Sequence, residues 1–158
     1  MKKAFIVLSF IFFAFTATNF AQKPTDPQIQ RDPVLEADAN HNLEVAWQYY
    51  KLKKAYKAVL MRFEETFAAH PDYSKMDEFL FMAAMSSKYL ADRKGKQELI
   101  LKTDEEKQKF APEKLREDAV AYFNIIKDKY PKSKYIGETE KQLKLLIRKF
   151  EIKTRRKC

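Results

Sequence analysis

The chain is poor in cysteine, glycine and histidine, and each shortage excludes a class of protein. Its 158 residues include one cysteine, two glycines and two histidines. One cysteine cannot form an internal disulfide, and so few Cys and His residues cannot build a four-ligand zinc cage within one chain. Two glycines cannot supply the turns of a many-stranded β-barrel or a phosphate-cradling loop.

The sequence also lacks an apolar run long enough for a comfortable bilayer span. Lys2 and Lys3 precede an uncharged, mostly apolar stretch at 4–17, which is short for a membrane helix but typical of a signal-peptide core. We expect residues 1–21 to be a signal peptide that is cleaved after Ala21, so that the protein is exported to the periplasm or the periplasmic face of the outer membrane. The alternative is an uncleaved N-terminal anchor.

Positive charge is in excess along the chain. Lys and Arg number 31 against 22 Asp and Glu, which gives a net charge of +9, and 34% charged with 46% apolar residues is typical of a soluble helical protein. Export argues against nucleic acid as a partner and favours anionic envelope surfaces or acidic protein patches. A basic tail at 153–158 offers candidate contacts to an anionic surface, unless it is simply a frayed, solvated terminus. These candidates are Lys153, Arg155, Arg156 and Lys157.

Helical periodicity follows a proline-rich linker at 22–33. Apolar residues then recur every three or four positions, which predicts an all-α domain at 34–152 with about five helices arranged as antiparallel hairpins. The basic stretch Lys51 to Lys54 favours a break that separates two helices within 34–70. A charged insertion at 92–111 has capping-box spacing from Thr103 to Glu106, which favours a short helix inside it.

Prolines, serines and glycines predict where the helices begin and end. We expect Ser74 and Ser133 to cap the third and the last helix, and Gly95 to end the third. Proline is favoured in a first turn, so Pro112 marks another helix start. Gly137 weakens the last helix, and we expect close packing there as its reason. The apolar stripe of that helix comprises Ile136, Leu143, Leu146, Ile147 and Phe150.

Two parts of the chain match at an offset of 60 residues. In each part, a helix that contains a phenylalanine ends at a residue with a ring side chain, His70 or Tyr130, immediately before proline. A serine and a tyrosine follow the proline. This pattern is typical of a helix-turn-helix array. The first copy contains Val59, Phe63, His70, Pro71, Tyr73 and Ser74. The second contains Ala119, Phe123, Tyr130, Pro131, Ser133 and Tyr135.

These residues resemble the BamD-like family of outer-membrane assembly proteins, which are built from tetratricopeptide repeats. The resemblance lies in Ala119-Val-Ala-Tyr-Phe123 and Lys129-Tyr-Pro-Lys-Ser-Lys-Tyr135, with Tyr56-x-x-Val59-x-x-x-Phe63 and His70-Pro71-Asp72-Tyr73 as a looser copy. It implies a short, tetratricopeptide-like form without the family's lipidation cysteine. It also implies a non-enzymatic scaffold that assists outer-membrane protein assembly by gripping envelope proteins or unfolded outer-membrane protein segments.

Residues that could carry chemistry do not form a recognisable catalytic pattern. Glu36, Asp38 and His41 have weak metal-ligand spacing, and we interpret them as solvated helix surface. Cys158 lies beside Arg156 and Lys157, which favour its thiolate, but no base is near it in sequence. We therefore expect no enzyme activity, no cofactor and no metal.

Aromatic residues on the first helix of each hairpin are the best binding candidates, because such arrays hold peptides in a groove lined by these helices. The candidates are Trp47, Tyr49, Tyr50 and Tyr89. Packing within the core is the alternative for most of them, and Tyr49 is the one expected to point elsewhere. Two repeats are few, so a homodimer is a further expectation. The alternative function is a basic envelope protein that adheres to anionic lipids or polymers through its C-terminal tail.

Overall fold

A computed structural model describes residues 31–96 and 100–155, with side chains as far as Lys149. Within these ranges the chain forms six α-helices and no strand: α1 Pro33–Gln48, α2 Tyr56–Ala69, α3 Met76–Ala91, α4 Asp104–Lys109, α5 Pro112–Lys129 and α6 Ile136–Arg155. The predicted all-α fold of antiparallel hairpins is confirmed, and α4 is the short helix favoured inside the charged insertion. The predicted signal peptide and Arg156, Lys157 and Cys158 lie outside the described residues. Lys153 and Arg155 fall in the last turn of α6.

The break between α1 and α2 lies where the basic stretch favoured it. A π-helical turn, Tyr49–Lys53, continues α1 and ends at Lys54, whose φ of 49° is left-handed. The Lys54 backbone N–H bonds the Tyr49 carbonyl, and the Ala55 N–H bonds the same oxygen at 3.0 Å. Two helices therefore span 33–69, as predicted, and a non-glycine residue bears the left-handed conformation that reverses the chain.

The end of α3 differs from the prediction. We expected Gly95 to end this helix, but α3 ends at Ala91 and it is Arg93 that adopts a left-handed φ of 53°. The Arg93 and Lys94 N–H groups then bond the carbonyls of Leu90 and Tyr89 at 2.9 and 2.7 Å. Glycine is the usual residue at the left-handed position of this hydrogen-bond pattern. A residue with a side chain at that position raises the conformational free energy by roughly 1 kcal/mol.

The offset of 60 residues is confirmed by matching turns. The N–H groups of His70 and Tyr130 both bond carbonyls four residues earlier at 2.8 Å, and three residues on the N–H groups of Tyr73 and Ser133 bond the carbonyls of His70 and Tyr130. The serine caps differ from expectation. Ser133 Oγ accepts from the Tyr135 N–H within the turn, before α6 begins, whereas the Ser74 N–H instead donates to the Glu36 carboxylate.

The core lies between two layers of helices. Side chains of α1, α3 and α6 contact one another in that order, while α2 and α5 meet through Phe63 and Tyr122, whose ring centroids are 5.0 Å apart. Repeat-equivalent residues fill the space between the layers: Val59, Phe63, Ala119 and Phe123 are all essentially inaccessible to solvent. Burial of these rings and alkyl groups is the main stabilising contribution.

The predicted apolar stripe of α6 is partly wrong. Leu143 and Leu146 are buried, but Ile147 is 48% exposed, and Thr139 and Gln142 are buried instead. The close packing expected at Gly137 is also wrong, because a Cβ placed there meets no atom within 4 Å. The helix is therefore rotated so that polar residues face α3.

Candidate functional site

Three of the four predicted aromatic residues come together at the ends of α1 and α3. The Trp47 and Tyr50 ring centroids are 5.5 Å apart, and Tyr50 lies 6.2 Å from Tyr89. Tyr56, at the start of α2, joins them at 5.6 Å from Tyr50 and 5.1 Å from Tyr89. Tyr56 is nearly buried while the others are half-buried, so these residues combine packing with an accessible edge.

Tyr49 lies apart from this group, on the side where α2 is exposed. It lines a separate groove with Ala58, Met61 and Lys109, and the Lys53 ammonium group lies 4.9 Å from its ring centroid. Tyr49 and Tyr50 are adjacent in the π-helical turn, but their side chains lie on different surfaces.

A second group of side chains joins α1, α3 and the turn before α6, and we call it the Glu78 cluster: Trp47, Glu78, Phe81, Lys134 and Tyr135. Glu78 accepts a hydrogen bond from the Trp47 indole at 2.7 Å and lies 3.3 Å from the Lys134 ammonium group. Phe81 stacks on Tyr135 with ring centroids 4.6 Å apart. The carboxylate therefore fixes the orientation of the single tryptophan, and the cluster presents half-buried rings along the layer of α1, α3 and α6.

A pocket of about 540 Å³ opens next to the tyrosines, and we call it the tyrosine–lysine pocket. Its lining consists of Tyr50, Lys51, Lys54, Tyr56, Tyr89, Lys94, Gly95 and Lys96. None of these residues is acidic, and all four lysines are exposed. Both left-handed residues border the pocket, since Lys54 lines it and Arg93 precedes Lys94.

Burial favours the neutral form of two tyrosine hydroxyls that line the pocket, those of Tyr50 and Tyr56. Burial raises the pKa of Tyr50, and the neighbouring Tyr89 acts in the same direction. Burial likewise raises the pKa of Tyr56. The pocket thus presents neutral hydroxyl groups and ammonium groups, both of which favour a ligand rich in hydrogen-bond acceptors.

Sequence reasoning found part of this arrangement. It singled out Trp47, Tyr50 and Tyr89 by their helical positions, and Tyr135 only as part of the repeat. It missed Glu78 and the pocket lysines, because lysines in two loops separated by some forty residues carry no common spacing. The remaining repeat residues are structural: Phe63 and Phe123 are core rings, and Pro71, Tyr130, Pro131 and Ser133 form the two turns.

Two of the three residues considered for metal binding, Glu36 and Asp38, are used in other contacts. Glu36 accepts from the Ser74 N–H, and Asp38 lies 3.4 Å from His70 Nε2, while His41 is exposed. Among the described residues, no group of three His, Cys, Asp or Glu side chains is arranged to hold a metal ion. In the same part of the chain, no helix is both long and apolar enough to cross a bilayer.

Comparison of the chain with protein-family models, with curated proteins and with solved structures finds no significant match.

Proposed function

We propose that this chain is a non-enzymatic interaction module of the bacterial cell envelope, which binds segments of other envelope proteins. The observation that carries the proposal is the Glu78 cluster, where a half-buried indole and the Phe81–Tyr135 pair share one helical layer. Aromatic side chains with one accessible edge supply large contact area at low entropic cost, and they are enriched at protein interfaces.

The architecture supports the same conclusion. Successive hairpins place α1, α3 and α6 side by side, which is the arrangement in which helical repeats present an extended binding surface. The Glu78 cluster takes residues from α1, α3 and the turn before α6, so a partner that lies along this layer meets side chains from both repeats. Within the resemblance to BamD-like proteins, the partners are outer-membrane proteins or their unfolded segments.

Export to the periplasm belongs to this proposal. It depends on residues 1–21, whose sequence has the charged start and apolar core of a signal peptide. N-terminal sequencing of the protein recovered from a periplasmic fraction tests it. We expect the mature chain to start at Gln22, and an intact Met1 in the cytosolic fraction would contradict export.

Site-specific photo-crosslinking in cells tests the binding surface. A photoreactive residue in place of Lys134 reports on the Glu78 cluster, and one in place of Asn124 reports on the exposed face of α5 as a matched control. We expect adducts with envelope proteins from position 134 that disappear when Trp47→Ala is added. Equal adducts from both positions, or none from either, would contradict the proposed surface.

A further inference from the structure

Positive charge is concentrated in the lining of the tyrosine–lysine pocket. Several lysines elsewhere pair with carboxylates, as in Lys57 with Glu106 at 2.7 Å and Lys114 with Asp118 at 2.6 Å. Among the residues that the structure describes, the lining contains four lysines and no acidic side chain. Like charges gathered at one opening create a positive potential that attracts a ligand of opposite sign.

The backbone around the pocket brings these lysines together. Lys51 and Lys54 belong to the π-helical turn and its left-handed end, and Lys94 and Lys96 follow the left-handed Arg93. The chain therefore reverses twice through left-handed residues that are not glycine, and both reversals place lysine-containing loops at the same opening. π-Helical turns and left-handed residues other than glycine are concentrated at functional sites.

The pocket walls are aromatic. Tyr50, Tyr56 and Tyr89 pack against one another with centroids 5.1–6.2 Å apart, and the Lys94 ammonium group lies 6.0 Å from the Tyr89 ring. Their rings form a wall that excludes water from one side of the opening. Charge interactions are stronger beside such a wall than in open solvent.

We propose that the tyrosine–lysine pocket binds a phosphate-bearing ligand with two or more negative charges, such as a pyrophosphate or a phosphomonoester headgroup. A phosphate monoester carries nearly two charges and three acceptor oxygens, whereas a carboxylate carries one charge. Four ammonium groups and the tyrosine hydroxyls match the former, because lysine binds phosphate as a mobile point charge. The volume of about 540 Å³ accommodates a small ligand of this class.

The site adjoins the proposed protein-binding surface, but the variants that test it change no residue of the Glu78 cluster. The triple variant Lys54→Gln, Lys94→Gln, Lys96→Gln removes three pocket charges, while Lys51 is retained because its ammonium group lies 4.2 Å from the Trp47 ring. The control Lys127→Gln, Lys132→Gln, Lys144→Gln removes three exposed lysines outside the pocket and gives the same net charge. All six positions are exposed, so circular dichroism should show both variants folded.

Calorimetric titration with sodium pyrophosphate and co-sedimentation with phosphatidylcholine vesicles containing phosphatidic acid test the proposal. We expect the full chain to bind at least one probe, the pocket variant to bind it about tenfold or more weakly, and the control to stay within about twofold. Binding of pyrophosphate assigns a soluble ligand, and binding of vesicles alone assigns a lipid headgroup.

Three outcomes would overturn the proposal. The first is that neither probe binds to the full chain. The second is that both triple variants lose the same affinity, which would make the effect one of overall charge. The third is that pyrophosphate binds but succinate, a dicarboxylate with two charges, binds as tightly, which would remove the preference for phosphate.

Discussion

Gly137 lowers the stability of α6, and no contact at this position offsets the loss. It is the second residue of α6, it has an ordinary helical backbone, and a methyl group at its Cα would meet nothing within 4 Å. We expect Gly137→Ala to raise the free energy of unfolding by about 0.4–1 kcal/mol, because alanine restricts the unfolded chain more than glycine does. Urea denaturation measures the change, and a loss of stability would mean that the space beside Gly137 is occupied in solution.

Single residues also mark the limit of sequence reasoning. Proline predicted the boundaries at Pro71, Pro112 and Pro131 because its ring fixes one backbone angle and removes a donor. The prediction that Gly95 ends α3 was wrong, because Arg93 adopts the left-handed conformation after this helix. A non-glycine residue in the left-handed conformation can be retained despite its conformational cost when its side chain contributes to a surface. No local sequence pattern predicts such a residue.

Among the helices, the two copies of the repeat have the same core residue. Phe63 and Phe123 are 1% and 0% exposed, and each lies eight residues before the proline of its own turn. We expect Phe63→Ala and Phe123→Ala each to cost about 3–5 kcal/mol, because each leaves a cavity between the layers. Thermal unfolding followed by circular dichroism measures both.

Phe67→Ala is the matched control for those substitutions, since Phe67 is 39% exposed and stacks on Phe63. We expect it to cost distinctly less than Phe63→Ala. A negligible effect at either buried position would contradict the equivalence of the two copies.

One carboxylate ties α3 to both α5 and α6. Asp92 lies 3.4 Å from the Arg116 guanidinium and 3.2 Å from the Lys149 ammonium group. Burial alone would raise the pKa of Asp92, but hydrogen bonds and charge from Lys149 and Arg116 outweigh it and lower the pKa below its usual value. A lowered folded-state pKa stabilises the fold above the unfolded pKa of about 4, and this stabilisation is lost as the pH falls.

We therefore expect Asp92→Asn to lower the free energy of unfolding by about 1–2 kcal/mol at neutral pH, with the difference from the natural chain shrinking as the pH falls below about 4. Urea denaturation across this pH range measures the effect. The control is Asp128→Asn, an exposed residue near the end of α5, for which we expect a small difference. A difference for Asp92→Asn that does not change with pH would contradict the role of its charge.

The helices themselves were largely predictable, whereas their surfaces were not. Periodicity and capping signals gave all six helices of the described ranges, because amphipathic stripes are local in sequence. The Glu78 cluster and the tyrosine–lysine pocket depend on how hairpins stack. Trp47 and Glu78 are 31 residues apart in sequence, yet they share a hydrogen bond of 2.7 Å. Such pairs form only when the helical layers pack together, so local sequence patterns do not predict them.

The molecule as a whole combines a hairpin array with two neighbouring surfaces of different chemistry. The Glu78 cluster is aromatic and suits protein segments, while the tyrosine–lysine pocket is basic and suits phosphate. Lys51 touches both, since its ammonium group lies above Trp47 and its side chain lines the pocket. The two surfaces are therefore adjacent at Lys51.

Trp47 makes the proposed protein binding directly measurable, because the chain contains a single tryptophan. Its indole N–H gives one resonance in an ¹⁵N-correlated NMR spectrum, and a partner segment identified by crosslinking is titrated into the labelled protein. We predict that this resonance and the backbone N–H resonances of the Glu78 cluster shift progressively, while the backbone N–H resonance of the exposed Met61 on α2 does not. An unmoved indole resonance, with shifts confined to α2 and α5, would contradict binding along the layer of α1, α3 and α6.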